Sequence, residues 1–163
     1  MKDTHDPRNG TTHSNGTVHI PFTPGDRFRW DGIDVKAYSS TTAVSDRITK
    51  QILFHADENL CSEVRYFEAE PGGYSALEKH AHVHAVVILR GHGTALVGRE
   101  IITVRTHDVV FTPPDTWHQF YAAPDSHLGF LCIVNGERVR PIRPVDADLE
   151  ELMRDPVLKR VIR

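Results

Sequence analysis

The sequence predicts an antiparallel all-β sandwich or barrel closed by a short C-terminal helix. Three observations carry that expectation. From Phe28 onward, short apolar or alternating runs recur, glycine and proline clusters separate them, and no amphipathic helix of useful length interrupts them before residue 146.

Taken in order, residues 1–24 are rich in Gly, Asn, Thr, Pro and His with almost no apolar periodicity, and are expected to form a mobile arm. The runs FRW, DVKAY, KQILFHA, SEVRYFEAE, AVVILRG, TALVG, EIITV, DVVFT, WHQFYA and LGFLCIV then follow as candidate strands of a barrel domain over 25–145. Pro71-Gly72-Gly73, Gly91 and Gly93, Gly98, His107-Asp108, Pro113-Pro114-Asp115 and Pro124-Asp125-Ser126 punctuate them as candidate turns. The last two runs read as a hairpin in which His118 lies opposite Cys132 and Phe120 opposite Phe130, all four facing the barrel interior, while Trp117 and Gln119 face outward or into an interface. After Pro141 and Pro144 the pattern becomes helical over 146–163: Asp146 or Asp148 is placed to cap, Pro156 interrupts, and an apolar stripe continues to Val161.

A chain of 163 residues fits one domain with a real core and needs no metal or disulfide staple to fold. Lys and Arg number 19 against 22 Asp and Glu, for a formal net charge of −3, so no dense basic face points to nucleic acid. No segment has the apolar length to span a bilayer, and no basic stretch with an apolar core marks a signal peptide, so a soluble cytoplasmic protein is expected. Cys61 and Cys132 lack metal or redox spacing and are expected to stay reduced.

Histidine stands out. Six of the 11 copies, at 80, 82, 84, 92, 107 and 118, fall in one stretch. In ALEKHAHVHAVVILRGHG, Glu78, His80, His82 and His84 share one parity and would share one face of a strand. Same-side neighbours lie about 7 Å apart on a pleated strand, so an i, i+2 pair converges on one ion and an i, i+4 pair does so only where the chain bends. Imidazole and carboxylate at that spacing, with His118 following the Pro-Pro turn, point to a divalent metal.

PGGYSALEKHAHVHAVVILRG and HDVVFTPPDTWHQF resemble the two motifs of the cupin superfamily, small β-barrels that hold a divalent metal. The resemblance implies a double-stranded β-helix, or jelly roll, over about 28–135. Counted back from Gly91, it also implies a ligand set of Glu78, His80, His84 and His118, with His82 beside it as a candidate to orient a ligand or shuttle a proton. A second register takes His80 and His82 as the pair. Three nitrogens and one oxygen suit manganese or iron, with nickel and zinc also within the ligand chemistry.

Phe120, Phe130 and Cys132 are candidate substrate-binding residues, together with either Tyr66 or Arg65, which have opposite parity in VRYFEAE. Arg138, Arg140 and Arg143 are candidates to meet an anionic substrate, or else form a solvated charge run. The expected function is a manganese- or iron-dependent dioxygenase acting on a small organic molecule. The alternatives are a lyase, isomerase or decarboxylase that uses the metal as a Lewis acid on a small carbonyl compound, or a binding barrel without turnover. The resemblance and the open strand edges also imply a homodimer.

Overall fold

A strand with one face on a core must alternate, and Val109–Thr112 does so, reading exposed, buried, exposed, buried. The computed structural model describes residues 11–12, 17–23, 25, 28–38, 45–56, 60–137 and 140–163. In chain order these form β1 (Thr11–Thr12), β2 (Val18–His19), β3 (Phe22–Thr23), β4 (Arg29–Trp30), β5 (Lys36–Ala37), β6 (Asp46–Phe54), β7 (Ser62–Tyr74), β8 (His84–Val97), β9 (Glu100–Arg105), β10 (Val109–Thr112), β11 (His118–Ala122) and β12 (Leu128–Asn135). The helices α1 (Asp146–Met153) and α2 (Leu158–Val161) follow.

The expected jelly roll is present, and two long strands build it. The first half of β8 lies between β10 and β12, and its second half lies between β9 and β11. Strand β7 likewise pairs with β12 and β6 along its length and meets β11 only at Tyr74. Each long strand therefore passes from one sheet to the other. Several glycines predicted as turns instead lie inside these strands and let them bend. Gly91 has φ +69°, and a Cβ there would sit 1.8 Å from the His127 carbonyl oxygen.

The predicted hairpin between β11 and β12 does not form. Strand β11 pairs with Gly93–Val97 and β12 with His84–Gly91, so the link at 123–127 crosses between sheets instead of turning within one. The inward parity survives because alternation is local. Phe120 and Phe130 face each other across the interior, with ring centroids 4.7 Å apart, inside a core that includes Val86, Ile88, Ala95 and Leu128.

The outer face carrying Gln119 is covered by the C-terminal segment. Leu77 and Leu96 pack with Leu152, Leu158 and Ile162, and Trp117 and Tyr121 lie partly buried beside them. Gln119 points out of the barrel as expected but is fully buried there beneath the chain's own C-terminal segment. Its amide donates to the Ser75 and Arg163 carbonyls and its carbonyl accepts from Arg163 N, which moors the chain end. At the start of α1, Val145 holds the cap position and the Asp148 carboxylate accepts its N–H, so neither Asp146 nor Asp148 is itself the cap residue.

Residues 1–10 and 13–16 of the expected arm lie outside the described residues. Within 17–23 the structure places β2 and β3, with β3 paired to β4. Phe28 and Trp30 then pack on the Tyr66 ring, at 5.1 Å each.

Candidate metal centre

The site is built around the link between β7 and β8. Ser75 N donates to Phe120 O, and Ser75 Oγ accepts from Phe120 N at 2.9 Å. Glu78 and His118 exchange both backbone hydrogen bonds, Lys79 does the same with Ile142, and the His80 carbonyl accepts from Asp115 N. The link is thus stapled to β11 and bends at Ala81-His82 before β8 begins at His84. This corrects the single-strand picture of residues 78–84: a bend, not strand parity, brings His80 and His84 together.

His80, His84 and His118 converge, with one ring nitrogen from each within 4.8 Å of the other two. They are 2, 6 and 3% exposed. His80 Nδ1 bonds the His82 carbonyl at 2.7 Å and His118 Nδ1 bonds the Thr116 carbonyl at 2.9 Å. Those carbonyls accept, so Nδ1 carries the proton and Nε2 keeps its lone pair. All three Nε2 atoms are buried without a hydrogen-bond partner. Such an arrangement is costly without a guest. Burial, reinforced by the neighbouring imidazoles, also holds the pKa of His84 far below the ordinary value. Burial likewise lowers that of His118, against the raising effects of the Thr116 carbonyl and Glu78. Three buried imidazole nitrogens that converge and lack any other partner fit a divalent metal.

Glu78 stands beside this group. Its Oε1 is 3.9 Å from His118 Nε2, its Oε2 is 2.5 Å from Arg143 Nη1, and the Tyr38 hydroxyl donates to it at 3.3 Å. His82 lies outside the converging set, its ring stacked on His80 at 3.7 Å and 4° between planes. It reaches the site through its carbonyl rather than its imidazole. Arg143 is the member of the arginine trio that meets the site. Arg140 is exposed, and Arg138 lies outside the described residues.

A small cavity of about 30 Å³ opens beside His84, His118 and Glu78. Phe67, Phe120 and Phe130 give it an apolar wall, with Phe67 stacked on Phe130 at 5.5 Å. Cys132, 2% exposed, lies on the same wall, and Arg65 Nη2 reaches its Sγ at 3.3 Å. Tyr66 does not line the cavity. It points to the other face of β7, where its hydroxyl donates to Glu68 and its ring packs on Phe28, so Arg65 takes the inward position. The sequence left that pair open because both residues are buried. Tyr38 and Ser75 also line the cavity and carried no sequence signal. Phe67 lines it from the same face of β7 as Arg65.

Residues 65–134, which contain all three histidines, match the family model described as a cupin domain. Over 137 residues the chain is 47% identical to a Rhodospirillum rubrum protein named 1-methylthio-D-xylulose 5-phosphate methylsulfurylase, covering 83% of this chain and 87% of that one. A cupin 2 conserved barrel domain protein from Rhodopseudomonas palustris superposes with a TM-score of 0.82 at 49% identity, covering 90% of this chain and 99% of that one. A cupin-2 domain from Rhodospirillum rubrum gives 0.77 at 46% identity, covering 85% and 94%. Shared fold, shared sequence and the motif-borne histidines together make the chain a member of the cupin family.

Proposed function

We propose that this protein is a metal-dependent enzyme that removes a methylthio group from the carbon beside the carbonyl of a small phosphorylated ketose, using Cys132 as nucleophile. The observation that carries the proposal is the placement of a reduced thiol and an arginine on the wall of a cavity whose neighbouring wall holds the histidine cluster. The name of the 47% identical relative supports the substrate class.

His80, His84 and His118 would hold the ion, manganese or iron in this proposal, with Glu78 the candidate oxygen donor. When bound, such an ion supplies Lewis acidity that stabilises negative charge on oxygen. The Cys132 sulfur attacks the methylthio sulfur: an S–S bond forms, the C–S bond breaks, and its electron pair passes to the carbon and onto the carbonyl oxygen as an enolate. Tyr38 is the proposed proton source for that carbon. Its burial, and next the Glu78 carboxylate, raise its pKa and keep the hydroxyl protonated. The Phe67, Phe120 and Phe130 wall takes the methylthio group and excludes water. The Cys132 methyl disulfide is then cleared by a low-molecular-weight thiol, which leaves as the mixed methyl disulfide and restores Cys132. A reducing cytoplasm suits this cycle.

The dioxygenase expected from the resemblance would use the same three histidines but has no use for the thiol and its arginine. Anaerobic incubation with a 1-methylthio ketose phosphate and a thiol should release the 1-deoxy ketose phosphate, and Cys132 should carry one methylthio group when the thiol is withheld. Turnover by Cys132→Ser at the wild-type rate, or oxygen uptake with no methylthio release, would overturn the proposal. A homodimer remains part of the proposal, supported by Val109 and Phe111 standing 71% and 61% exposed on the edge strand β10.

A further inference from the structure

Among the described residues that line the cavity, Arg65 is the one that carries a permanent positive charge. It is 8% exposed and sits directly opposite Cys132 in the β7–β12 register. Its Nη2 lies 3.3 Å from Cys132 Sγ, its Nε lies 3.7 Å from Glu63 Oε1, and its guanidinium sits 5.2 Å from the centre of the Phe67 ring.

A thiol is a weak hydrogen-bond acceptor, whereas a thiolate accepts strongly from a guanidinium, so a buried arginine aimed at sulfur favours the anion. Glu63 faces the Nε edge at ion-pair distance, beyond hydrogen-bond reach, while Nη2 faces the sulfur. The other titratable groups around the cavity are His84, His118, Glu78 and Tyr38. Burial keeps the two imidazoles neutral and the phenol protonated, so the charged groups at the cavity are Arg65 with Glu63 behind it, and Glu78 with its partner Arg143.

We infer that Arg65 is the positioning residue for the nucleophile: it holds the Cys132 sulfur at the cavity wall in its reactive form. Its catalytic meaning rests on the thiol chemistry proposed above, while the pairing itself is testable without turnover. Methyl methanethiosulfonate is a suitable probe. A thiolate attacks its methylthio sulfur, an S–S bond forms, and methanesulfinate departs with the electron pair. The rate at Cys132, resolved from the exposed Cys61 by peptide mass spectrometry, is followed against pH in the metal-loaded protein.

The wild type should react with a midpoint below the ordinary thiol value of about 8.5. Arg65→Met should raise the midpoint by about one unit and slow the reaction about tenfold at neutral pH, with Arg65→Lys between the two. Glu63→Gln should move the midpoint the other way, because it removes the negative charge nearest the pair. An Arg65→Met protein with the wild-type midpoint and rate overturns the inference. Should that variant fail to fold, a Glu63→Gln midpoint that is unchanged or raised overturns it instead. Normal pairing with no turnover of methylthio ketose phosphates sinks the proposed function alone, whereas turnover with an unshifted Arg65→Met profile sinks this assignment alone.

Discussion

Acid should destabilise the metal-free protein through two histidines. His84 and His118 are native as neutral rings, since burial lowers both pKa values below the ordinary 6.5. In the unfolded chain each takes up a proton as the pH falls through about 6.5. The unfolded state therefore binds more protons than the native one, and stability present above that value is lost below it. Between pH 7.5 and 5.5 each ring accounts for up to about 1.4 kcal/mol, and the pair for up to about 2.8 kcal/mol. For a chain of this size that is a fall in Tm of about 6–11 °C. Calorimetry of chelator-treated protein at the two pH values, run beside His84→Leu, isolates the contribution from other titrating groups. The variant should lose about half of the two-histidine share of the drop. A His84→Leu drop equal to the wild type's would show that the buried imidazole is protonated in the folded state and would refute the reasoning.

The same geometry makes three further predictions. His84→Ala or His118→Ala should abolish stoichiometric metal by elemental analysis, because each removes one of three converging donors, whereas His82→Ala should retain it. Gly91→Ala should cost several kcal/mol or block folding, since its Cβ would meet the His127 carbonyl oxygen at 1.8 Å in a positive-φ backbone; a melting curve within a few degrees of wild type would count against the corner assigned to it. Leu158→Ala should destabilise by about 2–5 kcal/mol while leaving metal content intact, because it empties the packing between the C-terminal helices and the outer face of the barrel, away from the cavity.

Alternation is a property of each short segment, and what depended on it was legible in the sequence. His118 and Phe120, and Phe130 and Cys132, point inward as their parity requires, because neighbouring Cβ atoms on a strand must take opposite sides whatever the strand pairs with. The glycines were also legible as places where regular geometry yields. Whether the chain turns there or a single strand bends through was not, because both need the same backbone freedom. The histidine motif pointed to the residues that converge in the fold, since imidazoles at close spacing have few other uses.

Long-range placement was decided only by the tertiary structure. Which half of β8 each of β11 and β12 would join depends on free energy summed over whole sheets, so the predicted hairpin gave way to a crossing link. The choice of Arg65 over Tyr66 followed from what lies on each face of β7, an aromatic cluster on one side and a thiol on the other. Tyr38, Arg143 and the bend at Ala81-His82 reach Glu78 and the histidines from separate parts of the chain. The sequence by itself determined an inward-facing set of metal-type donors on a β-barrel. Packing alone decided that three histidines converge while Glu78 is shared with Tyr38 and Arg143, because convergence is a matter of distances across the fold and spacing along the chain reports only the local part.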